Sequence, residues 1–129
     1  MAQYKTFSTM ASDPKPKNTN VFPEVISVDS VKSRNDLITK NSVVVIYYYA
    51  TWCSPCKDFS EKYNEIAHFY AGKGILLVKE DVDLDINNKG ENVNAVPCFH
   101  FYKNGVFQEK MTLTGVDEEA FTKNMQNLI

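Results

Sequence analysis

Apolar residues follow two kinds of pattern along the chain. Residues 43–50 form an uncharged run rich in β-branched and aromatic side chains, and residues 75–81 begin with a similar run. Runs without polar alternation are typical of strands that are covered on both faces. Residues 54–71 and 118–128 instead repeat their apolar side chains at helical spacing. The pattern therefore predicts two buried strands and two amphipathic helices.

Shorter patterns fill the intervals between these elements. They predict a strand at 25–28, a weak helix at 30–39, a short helix within 84–94, and strands at 98–102 and 106–113. The last two strands flank Asn104-Gly105, a dipeptide that strongly favours a hairpin turn. Helices between strands predict parallel pairing, and the hairpin predicts antiparallel pairing. The expected fold is an α/β domain with a central mixed sheet and helices on both faces.

Residues 1–21 differ in character from the rest of the chain. The stretch 13–20 is polar and broken by proline, so we predict a disordered N-terminal extension at 1–21. Residues 22–129 are then predicted to form one folded domain, because a chain of 129 residues has room for one domain with a sizeable core.

Composition narrows the classes of function. The formal net charge of −2 gives no indication of binding to nucleic acid or to an anionic membrane. No apolar run approaches the roughly 20 residues of a membrane span, and the first residues lack the apolar segment of a secretory signal. Three cysteines are too few for a disulfide framework. We therefore expect a cytoplasmic protein, in a compartment where cysteine pairs are usually catalytic or metal-binding.

Two of the cysteines lie where a buried strand meets an amphipathic helix. Cys53 and Cys56 are separated by two residues, and Cys53 falls at the predicted helix N-terminus. Free backbone N–H groups and the helix dipole stabilise an anion there, which favours a thiolate on Cys53. Helix geometry buries Cys56 against the sheet, so Cys53 should be the more exposed thiol. This placement indicates thiol–disulfide redox chemistry.

Other interpretations of the cysteines stay open. Cys53, Cys56, Cys98 and His100 together form a ligand set that suits zinc. An iron–sulfur cluster shared between two chains and a pair of structural buried thiols are further alternatives. Redox chemistry without a metal is the leading interpretation, because the strand-to-helix placement favours it.

Three landmarks in the chain resemble the thioredoxin family. They are the run Trp52-Cys53-Ser54-Pro55-Cys56-Lys57 after an apolar strand, the Val96-Pro97 pair before the next-to-last strand, and the Lys103-Asn104-Gly105 hairpin. The resemblance covers residues 25–129 and implies the thioredoxin fold. By position it implies that Cys53 is the nucleophile, that Cys56 is the resolving thiol, and that Pro97 is a cis-proline facing their disulfide.

The resemblance also implies a substrate groove and partners. Trp52, Val96, Pro97 and Gly115 would line the groove for a substrate chain. No bound cofactor is expected beyond the redox-active disulfide. The implied partners are thioredoxin reductase and disulfide-containing proteins, and we expect a monomer.

Pro55 and Lys79 are expected to support the cysteine pair. Pro55 fixes φ in the first helical turn, where an N–H is not needed. Lys79 occupies the position of a lysine or glutamate that lies near a buried aspartate in the family.

Tyr47 is the most consequential departure from the family pattern. It stands where the family usually carries a buried aspartate that takes the proton from the resolving thiol. A phenol with a pKa near 10 is a poor base at neutral pH. Lys79, Glu80 or water would then accept the proton of Cys56, and we expect slower reduction.

Three further departures concern Ser54, Cys98 and the segment between Gly105 and Gly115. Ser54 stands where glycine is usual, and the segment is longer than in typical bacterial members. Cys98 replaces a usual threonine, and because it follows Pro97 we expect its side chain near the motif. It would be either a small core residue or a functional third thiol.

The direction of the redox reaction stays open at this point. The leading hypothesis is a protein-disulfide reductase. A disulfide oxidase or isomerase is the second, because residues between the cysteines tune the potential and Ser54 is unusual. A binding module that senses redox state is the third.

Overall fold

The computed structural model describes residues 22–84 and 93–129. Within this part, the sheet contains six strands: β1 (Ile26–Ser27), β2 (Val43–Tyr49), β3 (Ile75–Asp81), β4 (Cys98–Lys103), β5 (Val106–Phe107) and β6 (Leu113–Thr114). Their order in the sheet is β1-β3-β2-β4-β5, and β6 also pairs with β4. The predicted extension at 1–21 and most of the helix predicted within 84–94 lie outside the described residues.

Three α-helices accompany the sheet in the described residues: α1 (Val31–Lys40), α2 (Ser54–Tyr70) and α3 (Glu118–Leu128). Two begin at conventional caps, since the Ser30 hydroxyl accepts from the Ser33 N–H at 3.0 Å and the Asp117 carboxylate accepts from the Ala120 N–H at 3.0 Å. The third, α2, has Cys53 as its N-cap residue. This helix start carries the candidate chemistry.

The central strand β2 pairs on both sides, as its uncharged sequence predicts. It runs parallel to β3, with Tyr47 opposite Lys79 and Tyr48 opposite Glu80, and antiparallel to β4, with Tyr47 opposite Phe99. The expected mixed sheet is confirmed.

Alternation along β2 separates two cores. Val43, Val45 and Tyr47 lie in a cluster with α2 and α3, on what we call the front face. Val44, Ile46 and Tyr48 lie in a second cluster with Ile38 of α1, on the back face. Helices therefore cover both faces, as predicted.

The prediction of one continuous strand at 106–113 is wrong. The structure replaces it with β5, a short 3-10 turn at Glu109–Met111, and β6. The register gives the reason, because Phe107 lies opposite Tyr102 while Leu113 lies opposite Phe99. The returning chain has more residues than the edge of β4 can pair, so the surplus forms the turn.

Candidate functional site

The cysteine pair lies at the junction of β2 and α2. The Cys53 N–H donates to the Ala50 carbonyl at 3.2 Å, which closes a tight turn after the strand. Cys53 and Cys56 form a disulfide, with their Cα atoms 5.2 Å apart. Cys53 is the N-cap of α2, and Pro55 lies in its first turn. Proline suits that turn, because its missing N–H would have no helical acceptor.

The Cys53 sulfur receives a backbone hydrogen bond. The Cys56 N–H donates to Cys53 Sγ at 3.2 Å. After reduction, this donor and the positive end of the helix dipole favour a thiolate on Cys53. Cys53 is 5% exposed and Cys56 is 1% exposed, so the order of exposure agrees with the prediction, although both sulfurs are largely enclosed.

Trp52 stands beside the disulfide at the surface. Its side chain is 68% exposed, and its indole N–H donates to Asp83 Oδ2 at 2.7 Å. Asp83 is in turn held, because its backbone N–H donates to Asp81 Oδ1 at 2.9 Å. The pair therefore fixes the indole at the rim of the site.

The sequence patterns assigned no role to Asp83. A signal was available in the topology. Tyr49 and Asp81 end paired parallel strands at the same edge of the sheet. Trp52 and Asp83 follow those ends by three and two residues, so the topology brings an indole donor and a carboxylate acceptor to the same edge of the sheet.

The other predicted groove residues lie around the entry to β4. The Val96–Pro97 peptide bond is cis, as expected. The Pro97 carbonyl accepts from the Gly115 N–H at 2.8 Å, and Gly115 has a φ of 91°, which favours glycine. Val96 packs against the front cluster that contains both cysteines. Substrate binding by Trp52, Val96, Pro97 and Gly115 stays a prediction.

Tyr47 contacts the motif through its backbone. The Tyr47 hydroxyl donates to the Cys56 carbonyl at 2.7 Å, and the Ser60 hydroxyl donates to the same oxygen at 2.9 Å. Burial raises the pKa of Tyr47 above its ordinary value. Its proton therefore stays on the phenol at neutral pH, which agrees with the expectation that Tyr47 is no base.

The two side chains proposed as substitute bases have different surroundings. Lys79 forms an ion pair with Glu24, and its ammonium lies 5.4 Å from the centre of the Tyr49 ring. Glu80 lies on the back face, fully buried, where Arg34 binds it. Strand alternation separates Glu80 from the cysteines, so the hypothesis that Glu80 serves Cys56 is wrong. Lys79 and water stay as candidates.

Cys98 is a second correction. Its side chain belongs to the back cluster with Tyr48, whereas the disulfide belongs to the front cluster. Phe99, the next residue, is the one that faces Tyr47 on the front. Cys98 has no exposed surface, and burial raises the pKa of its thiol. These features favour a small core residue over a third reactive thiol.

The four residues of the alternative metal site do not lie together, because they belong to opposite faces of the sheet. Cys53 and Cys56 lie on the front face, while Cys98 and His100, two residues apart in β4, lie on the back face. His100 packs against the rings of Tyr48 and Phe107. Among the described residues, no three histidine, cysteine or acidic side chains are grouped as metal ligands would be.

None of the helices within residues 22–84 and 93–129 has both the length and the apolar character required for a membrane span.

A disulfide at a helix N-terminus on a mixed α/β sheet defines a class of thiol–disulfide exchange proteins. The Thioredoxin family model matches residues 24–127. Thioredoxin 1 of Plasmodium falciparum is 33% identical over 95 residues, which cover 72% of this chain and 86% of the relative. Thioredoxin-T of Drosophila melanogaster is 33% identical over 104 residues, which cover 74% of this chain and 63% of that protein.

Solved structures give the same result. A structure of Plasmodium falciparum thioredoxin has a TM-score of 0.71 at 30% identity, covering 81% of this chain and 100% of that chain. Oxidised mitochondrial thioredoxin 3 from Saccharomyces cerevisiae has a TM-score of 0.71 at 30% identity, covering 81% of this chain and 95% of that chain. The chain belongs to the thioredoxin family, and it is a thiol–disulfide oxidoreductase.

Proposed function

We propose that this protein is a protein-disulfide reductase that acts as a monomer in the cytoplasm and is recycled by thioredoxin reductase. The observation that carries the proposal is the Cys56 N–H donated to Cys53 Sγ at the start of α2. That donor favours Cys53 as the attacking thiolate and as a good leaving group. Membership of the thioredoxin family supports the choice of reductase.

The reaction has two exchange steps. The Cys53 thiolate attacks one sulfur of a substrate disulfide, forms a mixed disulfide and releases the other substrate sulfur as a thiolate. The Cys56 thiol then loses its proton and attacks Cys53 Sγ, which forms the Cys53–Cys56 disulfide and releases the second substrate thiolate. Two electrons pass to the substrate, and thioredoxin reductase returns two electrons to the pair.

The size of the pKa change at the helix terminus shows which of the two exchange steps is accelerated more. Lowering a thiol pKa from about 8.5 to about 7 raises its thiolate fraction at pH 7 from roughly 3% to roughly 50%. The lower basicity costs about fivefold in nucleophilicity, so attack gains only about threefold. The larger gain is in the second step, because a less basic Cys53 leaves the mixed disulfide more readily.

Two matched variants test the assignment of roles. Cys56→Ser should accumulate mixed disulfides with protein substrates, because the resolving thiol is missing. Cys53→Ser should trap none, since the remaining thiol lies deeper beneath the helix start. Equal trapping by both variants would contradict Cys53 as the nucleophile.

The direction of the reaction needs a separate measurement. Reduction of insulin disulfides with a thioredoxin reductase system should be sustained, and the potential of the pair should lie near thioredoxin's value of about −270 mV. A potential near the roughly −120 mV of a strong oxidant would favour the oxidase hypothesis. Failure to turn over any disulfide despite a reducible pair would favour a redox-sensing module.

Location and assembly are tested directly. A C-terminal fluorescent fusion should fill the cytoplasm, and a mitochondrial signal would contradict that part of the proposal. Light scattering of the reduced protein should give the mass of one chain of 14.7 kDa.

A further inference from the structure

Two hydroxyl groups converge on one carbonyl in the first turn of α2. The Tyr47 hydroxyl lies 2.7 Å from the Cys56 carbonyl oxygen, and the Ser60 hydroxyl lies 2.9 Å from it. Ser60 belongs to the same helix, so its bond is local. Tyr47 belongs to β2, so its bond ties the motif to the centre of the sheet.

Tyr47 is itself held firmly enough to act as an anchor. It is 1% exposed, and its ring stacks on Phe99 with a centroid separation of 5.1 Å and an interplanar angle of 11°. Phe59 meets the same ring edge-on at 6.0 Å, and Tyr63 lies 4.7 Å away. A ring packed on several sides has few rotamers available, so its hydroxyl holds one position.

We propose that Tyr47 is a positioning residue that holds Cys56 in place for attack on Cys53. Its hydroxyl proton is directed at the Cys56 carbonyl, and the other group near its oxygen is the Ser60 hydroxyl at 3.5 Å, so Tyr47 neither donates nor accepts a proton in the reaction. It instead raises the effective concentration of Cys56 at Cys53, because oriented groups react faster than free ones.

The direction of the effect follows from comparing the two redox states. In the disulfide, the covalent bond already fixes the first turn of α2. In the dithiol and in the mixed disulfide, that bond is absent, and the Tyr47 hydrogen bond adds a restraint from the sheet to those that Cys56 has within its own helix. Loss of the hydroxyl therefore frees the dithiol more than the disulfide, which disfavours ring closure.

Tyr47→Phe tests this proposal. A hydrogen bond of ordinary net strength corresponds to about fivefold in an equilibrium constant. We expect the equilibrium constant for forming the Cys53–Cys56 disulfide from oxidised glutathione to fall about fivefold, which is about 20 mV toward a more oxidising potential. Release of a substrate thiol from the mixed disulfide should slow by a similar factor.

Tyr63→Phe is the matched control. Tyr63 is also 1% exposed and shares the aromatic cluster. Its hydroxyl donates to the Val78 carbonyl at 2.7 Å and to the Val45 carbonyl at 3.2 Å, so it serves the sheet and not the motif. The Tyr63→Phe variant should lose thermal stability, as Tyr47→Phe does. Its equilibrium constant for disulfide formation with glutathione should equal that of the wild type.

The outcomes separate positioning from a structural role. Equal glutathione equilibria for the wild type and Tyr47→Phe, or equal shifts for Tyr47→Phe and Tyr63→Phe, would overturn the proposal. If Tyr47→Phe fails to fold, Ser60→Ala decides, because it removes the other hydroxyl from the same carbonyl and should shift the equilibrium in the same direction by about two- to threefold. No shift there would overturn it too.

This inference rests on the dithiol–disulfide exchange and not on its direction in the cell. A glutathione equilibrium measures ring closure whether the protein works as a reductase or as an oxidase. A failed reductase assay with the expected Tyr47→Phe shift would therefore contradict only the proposed function.

Discussion

Arg34 and Glu80 form a two-point ion pair beneath the back face of the sheet. Arg34 Nε lies 3.1 Å from Glu80 Oε1, and Arg34 Nη2 lies 2.7 Å from Glu80 Oε2. The Glu80 side chain has no exposed surface, and that of Arg34 is 10% exposed. The pair joins α1 to β3, two elements that are distant in the sequence.

We predict that Glu80→Gln destabilises the protein by about 3 kcal/mol, because removing one partner leaves a buried charge without compensation. Urea unfolding of the reduced protein measures the change. Asp36→Asn is the control, because it breaks the Lys32–Asp36 pair at 3.2 Å, whose side chains are 87% and 47% exposed. That variant should lose no more than about 0.5 kcal/mol. Similar losses in both variants would contradict a structural role for the buried pair.

Stability should also depend on His100 at mildly acidic pH. His100 is 1% exposed, and among the described residues neither of its ring nitrogens has a hydrogen-bond partner. Burial, together with the nearby Arg34 charge, lowers the pKa of His100 from 6.5 to about 4. Between these values the unfolded chain binds a proton that the folded chain does not. Stability is therefore full above about pH 6.5 and falls by about 3 kcal/mol as the pH approaches 4.

The measurement compares unfolding free energies at several pH values between 7 and 4. Acidic side chains titrate in the same range, so the informative quantity is the difference between the wild type and His100→Phe, which removes the titrating ring and keeps an aromatic side chain next to Tyr48 and Phe107. This variant should show a flatter pH dependence than the wild type. Parallel curves for the wild type and His100→Phe would contradict the prediction.

Cys98 should be unreactive in the folded protein. Its burial and raised pKa keep the thiol protonated and out of reach of solvent. In reduced protein treated with mild peroxide or iodoacetamide, mass mapping should find modification at the motif and none at Cys98. Denaturant should make Cys98 react. Rapid native labelling of Cys98, or altered recovery of Cys98→Thr after oxidation, would restore the third-thiol hypothesis.

Asp83 should influence substrate reduction through Trp52. Asp83→Ala removes the acceptor of the indole N–H, so the exposed ring loses its fixed orientation. We predict that kcat/KM for a protein disulfide falls about threefold to tenfold, which corresponds to the net strength of one ordinary hydrogen bond at the surface. Unfolding free energy should change little, because this contact is at the surface. Asp36→Ala, an acidic residue on α1, should leave kcat/KM unchanged.

The sequence patterns predicted the elements that local rules determine. The uncharged run of β2, the helical repeat of α2 and the Asn104-Gly105 turn each appear in the structure, with Asn104 and Gly105 at φ values of 52° and 81°. The position of Cys53 at the helix start could be predicted from the point where the strand pattern ends and the helical pattern begins. Local sequence was sufficient for the centre of the site.

Long-range registers could not be predicted in the same way. Cys98 was expected near the motif because it follows Pro97, but pairing with β2 places Phe99 at the front beside Tyr47 and turns Cys98 to the back. The partner of Glu80 is separated from it by 46 residues of sequence. Which face a strand residue occupies is decided by its neighbouring strands.

The three consecutive tyrosines of β2 are identical residues in three different environments. Tyr47 anchors the motif, Tyr48 lies among the back-face groups around Arg34, and Tyr49 is partly buried beside Lys79. Loss of any one of the three codons would give the same shortened protein. That protein would have to move one flank of the run to the opposite face. The run should therefore tolerate a substitution more easily than an insertion or a deletion. We expect natural variation here to replace individual tyrosines and to keep the number of residues in the run.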